Sequence, residues 1–367
     1  SMSKAAELAN LIGNINAGGG GVNRNIIING AMNVAQRGTS STGIGASDGY
    51  FVCDRWKIVQ SSTAGRLTMT QDSSAPSGFA NSTKLDCTTA DTSIAANELL
   101  LFRQSIEGQN LQAFAKGTSD AKPFAVSFYV KGNASATYVC ELEDTDNSRT
   151  VSKTFNVTTD WTRVELSFPA DTTGTFDDDN AASLHLQIWL HAGSTWSSGT
   201  LNSSAFASTT NANRAVGISS FFDSTDRTFF ITGVQLEVGQ NPTEFEHEPL
   251  ERTLLKCQRY CRVYKSDESA NNFTRIGMGL ALGSTSGLAQ IHTGVRFRTT
   301  PSVSSTGQLQ AHNGDNLANC DVAIENGANP QNANISITNT SGFAVKDPME
   351  LVTDNVSGVI FEISSEL

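Results

Sequence analysis

Two rhythms of apolar residues divide the chain. Near the start, Leu8, Leu11, Ile12 and Ile15 recur at helical spacing among good helix formers, which predicts a short helix over 3–15 and then a flexible tether at Gly18 to Gly21. So short a helix is marginal alone in water and cannot bury its own stripe, so residues 1–23 read as an anchor whose four apolar side chains dock elsewhere. From Arg24 onward the period drops to two. The segments RWKIVQ, RLTMTQ, PFAVSFYVKG, TYVCELED, TRVELSFP, SLHLQIWLHAG and FFITGVQLEVG alternate or carry β-branched and aromatic residues, and Gly, Asn, Asp and Ser cut them apart. This pattern predicts a jelly-roll β-sandwich of about eight strands over 24–247.

Pro242 and Pro249 bracket the exit from that domain, and LERTLLKCQRYCRVYK then sets Leu254, Leu255, Gln258 and Cys261 at helical offsets, a linking helix within 248–265. Residues 266–367 return to short apolar runs, among them RIGMGLALG, VAIENG, ANISITNT and SGVIFEISSEL, and predict a smaller C-terminal β-sandwich-like unit. Its Gly and Asn content leaves little for a deep core, so burial of its apolar edges against identical copies is expected. The predicted class is all-β with two short helices.

Composition agrees: 367 residues suit two domains, and 31 Gly with abundant Ser, Thr and Asn suit strands joined by turns. A net charge of -11 repels polyphosphate, and no Lys/Arg stripe is interleaved with aromatics, so nucleic acid is not an expected partner. No segment has the apolar length to cross a bilayer, and the N-terminal stretch lacks the layout of a secretory signal, so synthesis in a cytoplasm and no membrane insertion are expected. The six Cys are scattered without metal-ligand or disulfide-framework spacing and read as reduced packing residues.

Candidate chemistry is sparse. The chain has no G-x-S-x-G, H-E-x-x-H or phosphate-loop motif, its five His are dispersed, and no catalytic residues are expected. The run Asp177, Asp178, Asp179 is the one candidate cation site, since Ca²⁺ takes several oxygen ligands from a turn; otherwise no cofactor is expected. Trp56 and Trp161 begin strands and read as core anchors, whereas Trp196 lies in the long polar stretch HAGSTWSSGTLNSSAFASTTNANRAVG. If the sandwich binds a glycan, Trp196 would be the stacking platform, with Asn211, Asn213 and Arg214 bonding sugar hydroxyls; packing of this loop between subunits is the rival reading. Arg252, Lys256, Arg259 and Arg262 face a run of Glu237, Glu244, Glu246 and Glu248, and pairing within or between subunits would set register at assembly.

Between Arg24 and Tyr264 the order NIIINGAMNVAQRGTS, DRW, SFYVKG, DTDNSRTVSKTF, FPADTTGTFDDDNAASLHLQIWLHAGS, TNANRAVG and ITGVQLEVGQNPTEFEHEPLERTLLKCQRY resembles tailed-bacteriophage tail fibres and related virion appendage proteins, whose first half is a carbohydrate-binding-module-like jelly roll. Cys261 stands where that group commonly has a second Tyr, and beyond Lys265 the resemblance stops. The resemblance implies a non-enzymatic virion protein, a homotrimeric fibre bound to other virion proteins through its N-terminal segment, with a distal C-terminal unit on host-surface glycan. A capsid-attached decoration protein and, further off, a polysaccharide depolymerase are the competing readings.

Overall fold

Alternation in the strand sequences is realised as two facing sheets. The computed structural model describes residues 3–16, 23–268, 273–325 and 327–367. It divides into two compact units, Ser1–Thr253 with Leu367, and Leu254–Glu366. In the first unit, α1 (Lys4–Asn16) precedes thirteen strands: β1 (Ser40–Ile44), β2 (Gly49–Tyr50), β3 (Lys57–Ser61), β4 (Arg66–Asp72), β5 (Ser82–Thr89), β6 (Leu99–Glu107), β7 (Phe124–Gly132), β8 (Ala136–Asp144), β9 (Arg149–Val157), β10 (Thr162–Phe168), β11 (Ala182–Ala192), β12 (Ala207–Ser208) and β13 (Thr228–Val238). A one-turn helix α2 (Ser194–Ser197) follows β11. The strands form a six-stranded sheet, β1-β4-β5-β13-β7-β10, and a seven-stranded sheet, β12-β9-β8-β11-β6-β3-β2, all pairings antiparallel. This is the jelly-roll sandwich expected, with more strands.

Phe124, Val126, Phe128 and Val130 of β7 meet Leu184, Leu186, Ile188 and Leu190 of β11 in one buried core. Trp56 belongs to it, stacked on Phe102 at 4.6 Å, while Trp161 is half-buried and meets Phe230 edge-on. In β13 the inward parity changes partway: Phe229 and Ile231 face the core, then Val234, Leu236 and Val238. A bulge between Thr232 and Gln235 makes the switch, and Gly233 supplies the left-handed φ of 63° that it needs.

The helix α3 (Leu250–Gln258) begins directly after Pro249 and ends earlier than expected: residues 261–265 are strand β14 (Cys261–Lys265), paired with the C-terminal strand. Val263 and Tyr264 lie in a β-branched, aromatic run that fits a pleated surface better than a helix. The second unit continues with β15 (Arg275–Ala281), β16 (Gly287–His292), β17 (Ser302–Thr306), β18 (Leu309–His312), β19 (Leu317–Ile324), β20 (Asn332–Thr338), β21 (Pro348–Thr353) and β22 (Ile360–Ser364). Strands β15-β16-β20-β19-β18-β21 close into a barrel, and β14-β22-β17 form a three-stranded sheet. The unit is β throughout, as expected, but it has a core of its own: Ile276, Ile291, Ile335, Leu351, Phe361 and Ile363 are buried together. Closure supplies this, because a barrel turns one face of every strand inward and small residues let six strands close tightly.

The assembly residues divide differently from the sequence expectation. Leu8 and Ile12 of α1 are 57% and 50% exposed, Leu11 is half-buried, and the side chain of Ile15 lies outside the described residues. Arg252 pairs with Glu248 at 3.1 Å, but Arg259 and Arg262 bond the carbonyls of Arg296 and Thr293. Glu237 and Glu246 are taken by Arg24, and Glu244 by Arg163. Of the expected pairs, Arg252 with Glu248 forms within the chain, while Glu237, Glu244 and Glu246 meet arginines of the jelly roll. Lys256 lies on α3 and is half-buried.

Candidate functional site

The outer face of the seven-stranded sheet, turned away from the core, is where the predicted site residues fall. Val139 and Glu141 of β8, Trp189 of β11 and Leu99 and Leu101 of β6 point outward yet are buried. Segment 193–220 covers them: Trp196, Leu201, Ala215 and Ile218 join Leu99, Leu101, Val139 and Trp189 in a second apolar cluster. Trp196 is therefore half-buried, tilted against Trp189 at 5.7 Å, and donates its indole N–H to the carbonyl of Asn97. It packs as a lid over that cluster, and the loop's spacing does not announce this, because its four apolar residues there have no period.

Arg214 is likewise engaged. Its guanidinium lies 2.6 Å from Glu141 Oε1 and 2.9 Å from Glu143 Oε1 and stacks 5.2 Å from the Trp189 ring. Glu141, fully buried, also accepts from Gln187 Nε2 (2.5 Å), Trp189 Nε1 (3.2 Å) and Ser152 Oγ (3.0 Å). A buried carboxylate needs this many donors, and together they clamp the loop to the sheet.

The same strip continues to Glu143, His185 and Arg103. His185 Nδ1 lies 3.2 Å from Glu143 Oε2. Burial alone would raise the Glu143 carboxyl, but the His185 hydrogen bond and the charges of Arg214 and Arg103 outweigh it and hold it at about 2. Burial pushes His185 below its ordinary value, Glu143 opposing and Arg103 assisting. At neutral pH the pair is thus a neutral imidazole donating from Nδ1 to an ionised carboxylate. On acidification the unfolded chain takes up protons at both groups before the folded one does, so stability is full above about pH 6.5 and falls as pH drops towards 2. Between pH 6 and pH 3 the Glu143 share of that loss is expected to be about 2 kcal/mol. Urea midpoints measured across this range for the native chain and for Glu143→Gln check this: the variant should show a shallower decline, and an identical decline would refute it.

At the end of β11, Ser220 Oγ accepts from the N–H of Phe222 (3.0 Å) and lies 2.8 Å from His191 Nδ1, and on the other side of the ring His191 Nε2 lies 3.1 Å from Glu98 Oε2. This has the connectivity of a nucleophile, base and acid. His191 and Glu98 are buried, however, and neither depression described next is lined by any of the three. The relay fastens the returning loop to β11 and to the 95–98 turn.

Two open depressions flank the β9 edge. Alternation along β9 points Thr150 to one and Lys153 to the other, and residues 201–204 run between them. The smaller, about 270 Å³, is walled by Thr150, Thr200, Asn202, Ser208, Thr210 and Asn213. Asn213 fixes its rim by accepting the N–H of Thr200 at 3.0 Å, and Asn202 by donating to the carbonyl of Thr150 at 2.6 Å. Of the four glycan candidates, only Asn213 enters this depression; Asn211 is exposed beside it, and Trp196 and Arg214 lie under the loop. The larger, about 690 Å³, is lined by Lys153, Phe168, Ser203, Ser204, Gln240 and neighbouring residues.

The acidic run does not gather into a ligand set. Asp177, Asp178 and Asp179 are exposed, with the N–H of Asp177 donating to Asp146 and Asp179 Oδ1 accepting from the N–H of Ala181, as in an ordinary turn. Among the described residues no three His, Cys, Asp or Glu side chains are grouped to hold a metal. Close by, a cation is built in: the Lys116 ammonium, fully buried, lies 2.5 Å from Asp144 Oδ2, 3.2 Å from Asp171 Oδ2, and within 2.9 Å of the carbonyls of Thr173 and Gly174. Arg149 completes the cluster with a two-pronged bond to Asp171. Nothing in the local sequence around Lys116 signals this; its oxygen partners come from two distant segments, β8 and the 171–174 turn.

Fold and site together define an all-β protein of two units whose jelly roll presents open, polar, loop-walled depressions. No family model matches the sequence, and no curated protein matches it. Among solved structures, the chain is similar to the enzymatically active domain of tailspike protein 4 of bacteriophage CBA120, at 12% identity over 58% of this chain and 21% of that one, with a TM-score of 0.32. It is similar to a CBM4 structure at 15% identity over 57% of this chain and 97% of that one, TM-score 0.31. A third is TmCBM61 in complex with β-1,4-galactotriose, at 10% identity over 59% and 99% of the two chains, TM-score 0.32. Resemblance at this level transfers neither a ligand nor an activity.

Proposed function

We propose that this chain is a non-enzymatic adhesion protein of a tailed-bacteriophage particle, a homotrimeric fibre that holds host-surface glycans on the rim of its jelly roll. The observation that carries the reading is the depression beside β9: a hollow of about 270 Å³ walled by Thr and Ser hydroxyls and by Asn side chains that backbone partners hold in place, the polar lining a sugar would meet. Two features favour assembly. The apolar side chains Leu8 and Ile12 of α1 face outward, and so do Met278, Leu280 and Leu282 in alternation along and just beyond β15, at 70%, 51% and 62% exposure. Uncharged, apolar patches on an acidic chain are where copies can meet without repulsion. Three weak sites on one fibre add avidity, so a single shallow site suffices. The sequence resemblance between Arg24 and Tyr264 supplies the particle.

The test is a glycan microarray probed with the full chain beside its Ser208→Trp variant, which fills the depression from an exposed edge strand. Binding to bacterial surface polysaccharides that drops at least about tenfold in the variant supports the reading. Absence of any glycan binding, together with no labelling of phage particles by an antibody to 24–367, sinks it; gold on the capsid in place of the tail moves the protein to the head.

A further inference from the structure

We propose that the larger depression on the other side of β9 is a site for an acidic saccharide, with Lys153 as the anchor for a sugar carboxylate. This rests on the glycan-adhesion reading above and specifies which sugars it takes. The hollow of about 690 Å³ is lined by Lys153, Ser203, Ser204, Gln240, Phe168 and Pro169 among others, and Lys153 is the only charged residue in its lining. That is unusual ground for a lysine in this chain, which carries 36 acidic residues against 25 basic ones. Most of the other half-buried or buried cations of the jelly roll have found a carboxylate: Lys84 with Asp86, Lys116 with Asp144, Arg149 with Asp171, Arg163 with Glu165 and Arg214 with Glu141. Lys153 has no ion pair among the described residues; its ammonium lies 5.9 Å from the centroid of the buried Phe168 ring.

The ring face gives the half-buried ammonium partial compensation and holds it in the hollow. An incoming carboxylate would complete it with a charge-assisted hydrogen bond, and because no acidic side chain lines the hollow, nothing there repels an anion. Around the cation, the Ser203 and Ser204 hydroxyls and the Gln240 amide can serve sugar hydroxyls, while Pro169 and its alanine and proline neighbours offer flat apolar walls to the C–H face of a pyranose. One monovalent cation matches the single charge of a hexuronate. A phosphate dianion would call for further cations or a two-pronged arginine, and the lining holds neither.

Titration calorimetry of the full chain with tetragalacturonate and with the carboxyl-reduced neutral tetramer tests this directly. In low salt the acidic tetramer should bind at least about tenfold more tightly than the neutral one, with the advantage shrinking as salt is raised. Lys153→Met should abolish the advantage and Lys153→Arg should keep it; Lys153→Gln stands in if the methionine variant loses its native circular dichroism. Equal affinity for the two tetramers, or a methionine variant that retains the preference, overturns the proposal. If neutral glycans bind and Lys153→Met leaves them unchanged, the acidic site falls while glycan adhesion stands; if no saccharide binds at all, both fall.

Discussion

Replacing Lys116 with methionine is expected to cost the jelly roll about 3 to 5 kcal/mol, a large share of the 5 to 15 kcal/mol that holds a typical domain folded. The ammonium is fully buried and is bonded by two carboxylates and two carbonyls drawn from β8 and from the 171–174 turn, between the rings of Phe176 and Phe206. Methionine conserves much of the volume, so the loss is electrostatic: Asp144 keeps only the N–H groups of Asn147 for compensation, whereas Asp171 retains Arg149. This asymmetry gives a second expectation. Adding Asp144→Asn to Lys116→Met should recover part of the loss, because it removes the carboxylate left without a cation. Guanidinium denaturation of the native chain and the two variants reads it; a Lys116→Met midpoint that corresponds to less than about 1 kcal/mol would show that the cluster is not a structural hub.

Arg214→Met should cost about as much, with a more local signature. Glu141 would be left buried with only neutral donors, and the second apolar cluster would lose the cation that bridges Trp189, Glu141 and Glu143. The expected outcome is release of segment 193–220 from the sheet: Trp196 emission shifts to the red, and limited proteolysis cuts within that segment while the core resists. Arg214→Lys should rescue only in part, since a single ammonium cannot bond Glu141 and Glu143 in the fork geometry of a guanidinium. An unchanged emission maximum together with an uncut loop in Arg214→Met would refute the clamp. Because the same segment walls the smaller depression through Thr200, Asn202, Thr210 and Asn213, its release should also weaken glycan binding without any change in the lining residues themselves.

The two rims differ in what they ask of a ligand. The Thr150 side is neutral and its amides are fixed by backbone partners; the Lys153 side is wider and carries one cation.

The sequence by itself determined the class and most of the frame. All seven quoted strand segments of the first domain became β3, β4, β7, β8, β10, β11 and β13, since each carries either period-two alternation or the β-branched and aromatic residues of a pleated surface. It passed over β6, whose run of Leu99, Leu100, Leu101 and Phe102 is buried on both faces and so shows no alternation. The short edge strands β1, β2 and β12 carry little apolar signal either. Trp196, Arg214 and the aspartate run drew attention because their residue types suit sugar or metal, but their partners are the outward residues of β8 and β11 and the turn around Asp146, far away in sequence. Lys116 and Lys153 drew none, because a lone lysine in a polar stretch has no pattern. Local periodicity follows from each segment's own backbone and was legible; which carboxylate meets which cation, and which cation meets none, depends on loops and strands brought together from across the chain, and only the tertiary structure decided that.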